Sequence, residues 1–334
     1  MTTSWEPGRH LVLVGPTAVG KSAVALELAT RRAARGEPVE IVSADSMQVY
    51  RGMDIGTAKP TPAERERVPH HLLDVVDPGE EFSVARYARE VRAVLADIES
   101  RGAAALLVGG TGLYVQAVVD GLEVPGRYPE VLAELEREPD TGELHRRLVE
   151  LDPDAAARME PTNRRRVLRA LEVTLGSGRR FSEHGPGLGR YPPTPFVLCG
   201  LWMPRDELRD RIAERYRQQL DAGFLDEVRE LAARPAPLSR TASQALGYRE
   251  LLGHLQGRAT LEDALEEAVA RTRRFAVRQI RWFRRDPRIR WFEHHGDPAE
   301  TAARIDAEWS ERVAARQGST ATVAGEAPRR GGAP

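Results

Sequence analysis

Eight consecutive residues carry the clearest chemistry in this chain: Gly15, Pro16, Thr17, Ala18, Val19, Gly20, Lys21 and Ser22 spell G-x-x-x-x-G-K-S. Glycines at those spacings let backbone N–H groups curl round a phosphate. The N-terminus of a following helix adds partial positive charge, Lys21 adds a full one, and the Ser22 hydroxyl can ligate Mg²⁺. The stretch binds a polyphosphate or diphosphate without saying whose. A second candidate is Asp45, which follows the apolar run Val39 to Ala44. Ligands of open α/β sheets lie at strand ends, so Asp45 is expected beside the phosphate loop, although a cap or turn role is open on spacing alone. The run Ala103 to Val108 closes on Gly109-Gly110-Thr111-Gly112. Nucleotide-hydrolysing P-loop proteins often carry an aspartate there to hold the metal's water, so its absence weighs against ATP hydrolysis.

The surrounding elements follow from periodicity. Leu11 to Val14 reads as a strand feeding the loop, and Ser22 to Arg35 as a helix with Val24, Ala25, Leu28 and Ala29 on one face. A second strand covers Val39 to Ala44, and the glycine-punctuated stretch Met47 to Pro60 reads as an ordered loop. His70 and His71 precede an expected short strand, Leu72 to Val76; adjacent residues of an extended chain face opposite sides, so the pair is not read as a metal site. Ser83 caps a helix from about Val84 to Ser100. From Leu122 to about Arg190 the βα rhythm stops: Tyr128 to Glu138, Glu143 to Leu151 and Arg164 to Leu175 are helical in pattern, separated by Pro139, Pro153 and Pro161. A linker, Gly185 to Pro195, returns the chain to a strand at Phe196 to Trp202. Helices then follow at Asp206 to Gly223, at Glu250 to Gly257 after a glycine-containing junction Gln244 to Arg249, and at about Leu261 to Arg285. The predicted fold class is α/β: a P-loop NTPase-like parallel sheet core over 1–121 and 191–316, a helical insertion at 122–190, and a disordered tail at 317–334.

Composition narrows the partners. The 334 residues suffice for two domains, and their net charge of −1 does not make a generally basic nucleic-acid binder. The charge is unevenly spread. Six arginines stand against Glu172 between Pro161 and Phe181, and nine against Asp286 between Ala268 and Arg290, which suggests a basic face for RNA. Phe275, Ile280, Trp282 and Phe283 are interleaved with the second block, and helical spacing reads most of them as core. Lysine occurs only at Lys21 and Lys59, so it is kept where a guanidinium does not substitute; Lys59 is the weaker site candidate. The single cysteine, Cys199, excludes an internal disulfide and reads as a buried strand residue. No apolar run approaches the roughly 18 residues of a bilayer span and no basic-then-apolar leader opens the chain, so a cytoplasmic protein away from membranes is expected.

Taken together, GPTAVGKS at 15–22, SADSMQVYRGMDIGTAKP at 43–60, PHHLLD at 69–74, VGGTGLY at 108–114, RRRVLRALEV at 164–173, GF at 223–224, QALGYRE at 244–250 and TRRFAVRQIRWFR at 272–284 resemble the bacterial tRNA dimethylallyltransferases over about residues 10 to 312. The resemblance implies transfer of a dimethylallyl group from dimethylallyl diphosphate to N6 of adenosine 37, beside the tRNA anticodon, by a monomer. Dimethylallyl diphosphate would then take the place of a nucleotide in the loop, with Lys21, the loop amides and Mg²⁺ on Ser22 stabilising the leaving diphosphate. Thr17, Thr111 and Arg215 carry over as further diphosphate contacts and Asp45 as the general base. Asp45, Ser46, Met47 and Gln48, then Arg165, Arg166, Val167, Leu168 and Arg169, then Gln244, Ala245, Leu246, Gly247, Tyr248 and Arg249, would hold the anticodon stem-loop. Met47-Gln48 is a mild departure, and the tail matches nothing. A small-molecule or nucleoside kinase shares the loop, the strand-end aspartate and an arginine-bearing lid. A P-loop RNA-binding NTPase and an enzyme prenylating free adenine nucleotides would each account for part of the pattern; the long insertion and second arginine block favour tRNA.

Overall fold

The computed structural model describes residues 5–184 and 187–324. Its centre is the strand β1 (Leu11–Val14), whose four apolar residues are all buried. Near-continuous apolar runs suit a parallel sheet covered on both faces. The loop after β1 turns into α1 (Lys21–Ala33), then β2 (Val39–Ser43), α2 (Pro62–Arg67), β3 (His70–His71), α3 (Val84–Ser100), β4 (Ala104–Gly109) and α4 (Gly112–Val119). Four helices follow, α5 (Pro129–Glu136), α6 (Thr141–Leu151), α7 (Pro153–Ala156) and α8 (Arg164–Ser177). The chain returns through β5 (Val197–Trp202) to α9 (Arg205–Asp221), α10 (Phe224–Ala232), α11 (Arg240–Ser243), α12 (Tyr248–Leu255), α13 (Leu261–Phe283), β6 (Arg290–Glu293) and α14 (Pro298–Ala324).

All pairings are parallel and the strand order is β3-β2-β4-β1-β5-β6. The chain leaves β1 toward β2 on one side, and after β4 it rejoins the sheet at β5 on the other. Opposed connections open a crevice at the carboxyl ends of β1 and β4, where such sheets bind ligands. Cys199 is fully buried in β5, as its apolar neighbours predict, and burial pushes its thiol pKa up. No helix among the described residues is long and apolar enough to cross a membrane.

Two compact units emerge, Met1–Val115 with Pro193–Pro334, and Gln116–Pro192. The second has its own core, in which Leu135, Leu144, Leu148, Val167, Ala170 and Leu171 are each at most 2% exposed. Asp152 is fully buried there because both oxygens are used: Oδ1 accepts from Ala155 N at 3.0 Å and Oδ2 from Ser182 N at 2.8 Å. Helix α14 continues through Ala324, into the stretch read from sequence as a tail, and residues 325–334 lie outside the described residues.

Two strand assignments differ from the sequence reading. The expected strand at Leu72 to Val76 is displaced to His70–His71, because Leu72 and Asp74 take left-handed φ values of 61° and 56° that an extended run cannot hold. Only an isolated bridge from Val76 to Tyr50 remains. The edge strand β6 was not anticipated; its four residues include two charges and show too little alternation to be recognised.

His10, just before β1, is 1% exposed. Its Nδ1 accepts the Ala105 N–H at 2.9 Å, so Nε2 carries the proton and faces Glu99 Oε1 at 3.0 Å. Burial, reinforced by Arg9 and opposed by Glu6, lowers its pKa to about 4 from 6.5. A depressed base is neutral in the fold and charged in the unfolded chain between those values, so its contribution is present above pH 6.5 and lost as pH falls toward 4. Urea titrations at pH 7.5 and 5 should show a loss of about 2 kcal/mol from this group. His10→Asn, which keeps an acceptor for Ala105, should lose that part of the slope; an unchanged slope would contradict the assignment.

Candidate active site

The phosphate loop is shaped by its backbone before any ligand arrives. Ala18 lies in the left-handed region at φ 64° and Gly20 at φ 99°. Left-handed backbone is costly for alanine and routine for glycine. Lys21 Nζ folds back to donate to the Gly15 and Pro16 carbonyls at 3.0 and 2.6 Å. Burial lowers its pKa to about 8; Asp45 opposes the shift and Arg215 reinforces it. Asp45, Lys21 and Arg215 therefore share one electrostatic neighbourhood, which brings together three of the residues singled out by sequence.

Arg215, on α9, reaches the loop directly, its Nη1 donating to Thr17 Oγ1 at 3.0 Å and its Nη2 to Gly56 O at 3.4 Å. Burial, partly offset by Tyr216, Asp45 and Tyr248, lowers its pKa from the usual guanidinium value. The Thr17 N–H is held by Gln279 Oε1 at 2.8 Å, and Gln279 Nε2 donates to Gly110 O at 2.9 Å. Gln279 was missed in the sequence. Its trace is periodic: it occupies a core position of α13, in line with Ala264, Ala268, Thr272, Ala276 and Phe283, where a polar side chain needs buried partners. Two close approaches explain the glycines at the end of β4. A Cβ at Gly109 would stand 2.1 Å from Ala44 O, and one at Gly110 would stand 2.1 Å from Gln279 Nε2.

Thr111 meets the end of β2. Its Oγ1 accepts from Ser46 N at 3.0 Å and lies 3.3 Å from Ser46 Oγ. Asp45 Oδ1 accepts the Met47 N–H at 2.8 Å, while its Oδ2 has no hydrogen bond among the described residues. The carboxylate is thus oriented by one oxygen and open at the other. Gln48 is committed within the chain, accepting from Ser43 Oγ at 2.8 Å and donating to Thr57 O and Ala58 O, each at 3.2 Å. Residues 54–56 are clamped by Glu227, which accepts all three backbone N–H groups, and by Gln219 Nε2 on Ile55 O at 2.6 Å. Lys59 is a structural cation: its ammonium donates to Tyr50 O, Asp54 Oδ1 and Asp74 Oδ1, which uses its three protons.

The remaining residues named from sequence divide by exposure. In the second unit, Val167 and Leu168 are core residues of α8. Arg169 pairs with Glu172 at 2.8 Å, whereas Arg165 and Arg166 are exposed with no ion pair among the described residues. In the first unit, Ala245, Gly247 and Tyr248 are buried and Leu246 half-buried, leaving Gln244 and Arg249 exposed and 3.3 Å apart. On α13 the reading of the aromatics as mostly core is corrected: Phe283 is buried, but Phe275, Ile280 and Trp282 are half-buried. Small residues fill the buried stripe, so the larger ones flank it, with Arg278 over Phe275 at 5.6 Å and Arg285 over Trp282 at 4.7 Å.

No group of three or more His, Cys, Asp or Glu side chains among the described residues could hold a metal on its own. The exposed Ser22 hydroxyl makes no hydrogen bond among the described residues. That donor set fits an ion that keeps its waters and takes its other ligands from bound phosphate, as Mg²⁺ does.

The IPP transferase family model matches residues 48–286. The tRNA dimethylallyltransferase of Thermobifida fusca is 50% identical over 288 residues, covering 85% of this chain and 89% of that protein. That of Kineococcus radiotolerans is 48% identical over 309 residues, covering 90% and 96%. Among solved structures, the tRNA isopentenylpyrophosphate transferase of Bacillus halodurans superposes with a TM-score of 0.69 at 38% identity, covering 92% of this chain and 98% of that one. A eukaryotic dimethylallyltransferase described as acting on tRNA gives 0.70 at 29% identity, covering 85% and 73%.

The part of the affinity for inorganic diphosphate that Lys21 supplies should fall roughly tenfold between pH 7.5 and 9, as Lys21 loses the charge that burial already weakens. Lys21→Met should bind less tightly with no step near pH 8, measured by calorimetry. Gln279→Ala leaves the Thr17 N–H and Gly110 O unpaired and should cost about 2 kcal/mol of stability. A neutral result in chemical denaturation would show that the bridge is replaceable.

Proposed function

Because the chain belongs to the IPP transferase family, we propose that it transfers the dimethylallyl group of dimethylallyl diphosphate to N6 of adenosine 37 in tRNA. Prenyl transfer to tRNA is the activity for which its relatives are named. The observation that carries the residue-level reading is the strand-end arrangement: two cations and the loop amides on one side, a carboxylate with a free oxygen on the other, and Thr111 rather than an acid after β4.

In this reading the diphosphate lies in the loop from Gly15 to Ser22, held by backbone N–H groups and by Lys21, Thr17, Thr111 and Arg215. The N6 lone pair attacks C1 of the dimethylallyl group and forms the C–N bond. The C1–O bond breaks and its electron pair leaves on the diphosphate. Asp45 Oδ2 accepts the proton from N6, while Oδ1 keeps the carboxylate in register through Met47. Lys21 and Arg215 both bond atoms of or beside this loop and would stabilise the negative charge that grows there. Ser22 would hold Mg²⁺, which supplies further positive charge against the leaving diphosphate.

An exocyclic adenine amine is a weak nucleophile, so much of the acceleration must come from holding it against C1. The amine also has to leave the anticodon-loop stack, which costs about a few kcal/mol. Single-stranded loops are read by stacking and base edges. Exposed Gln244, Arg249, Arg165 and Arg166 are the candidates for such contacts, with Asp45 to Gln48 lining the site itself. Val167, Leu168, Ala245 and Tyr248 are buried and support these contacts as packing rather than making them.

Asp45→Asn should lower the single-turnover transfer rate by about 10² to 10⁴ while leaving tRNA affinity within a few-fold. Wild-type activity in that variant would remove Asp45 as the base. Replacing Arg165 and Arg166 together by alanine should weaken tRNA binding and reduce the salt slope of log K by about 1 to 2. An unchanged slope would make them plain solvated surface. Mass spectrometry of total tRNA nucleosides from cells with and without this chain should find N6-prenylated adenosine only where it is present; steady ATP hydrolysis without tRNA would instead favour a nucleotide-consuming enzyme.

A further inference from the structure

His294 follows the last residue of β6, at the same carboxyl edge of the sheet as the phosphate loop, and its N–H donates to Trp202 O at 2.9 Å. Its side chain is fully buried. Nδ1 lies 2.9 Å from Thr301 Oγ1, and the Thr301 hydroxyl donates its own hydrogen to Asp297 O at 3.1 Å. With that donation made, Thr301 accepts from the imidazole, which assigns the proton to Nδ1 and leaves Nε2 as a lone pair. That Nε2 has no hydrogen-bond partner among the described residues. It rests against Gly20, so close that a Cβ there would stand 2.8 Å away. Gly20 is the last loop residue before Lys21, and its φ of 99° sets the turn into α1.

We propose that His294 is a positioning residue for the phosphate loop, braced against Gly20, and that its imidazole gains a proton when diphosphate occupies the loop. The proposal rests on the loop being the diphosphate site. Buried polar groups without partners are uncommon in folded proteins and call for an explanation, and this one stands directly behind a site built for anions. The charged groups around it are Arg211 on α9, His295 beside it, and Asp297 and Glu300 at the start of α14; in the loop it faces Gly20, which has no side chain. Burial lowers its pKa, Arg211 and His295 lower it further, and Asp297 and Glu300 oppose them, so the empty loop is backed by a neutral ring. A multiply charged anion next to Gly20 favours the charged ring. The cation then adds to Lys21 and Arg215 from behind the loop, and departure of diphosphate releases its proton again.

The direct test is histidine ¹⁵N NMR of the whole wild-type protein at about pH 6.5, where Lys21 is already charged. One neutral Nδ1–H ring should become an imidazolium when inorganic diphosphate and Mg²⁺ are added. Calorimetry in two buffers of different ionisation enthalpy should show that His294→Asn, whose side-chain amide keeps the Thr301 hydrogen bond, takes up fewer protons than wild type on binding. In the same variant KM for dimethylallyl diphosphate should rise about three- to tenfold, with kcat falling less. Diphosphate binding with no histidine changing its protonation, or with equal proton uptake in both proteins, would overturn this inference alone. No diphosphate binding at all would overturn the site reading with it.

Discussion

A single buried carboxamide, that of Gln279, ties the phosphate loop to the end of β4, and most of the site depends on that tie. By accepting the Thr17 N–H and donating to Gly110 O, it fixes two segments that arrive from different crossovers. Thr17 is thereby held where its hydroxyl meets Arg215, and the glycines after β4 come close enough to β2 for Thr111 to bond Ser46. The approach is so tight that neither Gly109 nor Gly110 has room for a side chain. A hydrogen bond of this kind contributes modestly when made and costs more when one partner is removed, because the orphaned groups stay buried. The helix that carries Gln279 also carries Arg271, Arg273, Arg274, Arg278 and Arg281 of the second arginine block.

Electrostatics complete what packing begins. Lys21 and Arg215 are both held below their ordinary pKa values by burial; Arg215 lowers Lys21 further, and Asp45 relieves both. Such a pair of strained cations is a poor stability device, since burying charge is expensive, and a good anion site. An anion that arrives, loses its organic group and departs suits this arrangement, because the stabilisation it offers grows as charge grows on the bridging oxygen. The strand end that lacks an acidic residue fits the same picture, in which no water needs to be activated.

Much of this was readable in the sequence. The loop from Gly15 to Ser22, the strand-end Asp45 and the run through Gly109 to Gly112 fall where their neighbours predict, because parallel strands are apolar throughout and glycine marks close approach. Arg215 came from the resemblance and is at the loop. What was not legible depends on long-range contact. Gln279 sits 262 residues from the Thr17 amide it holds, and nothing local announces the pairing. Left-handed backbone at Leu72 and Asp74 displaced a strand that composition favoured, and β6 is too short and charged to stand out. Burial also separated residues that a contiguous stretch lumps together: Val167 and Leu168 are core, while Arg165 and Arg166 face solvent.

Whether phosphates bound in this loop leave instead of being transferred is tested most directly with dimethylallyl diphosphate carrying ¹⁸O at the ester oxygen that joins C1 to phosphorus, incubated with the purified protein, tRNA and Mg²⁺. If they leave, all of the label appears in released diphosphate, with one diphosphate formed for each N6-dimethylallyl group on tRNA. Label retained on the organic product, or diphosphate released without tRNA prenylation, would contradict the leaving-group role of the loop.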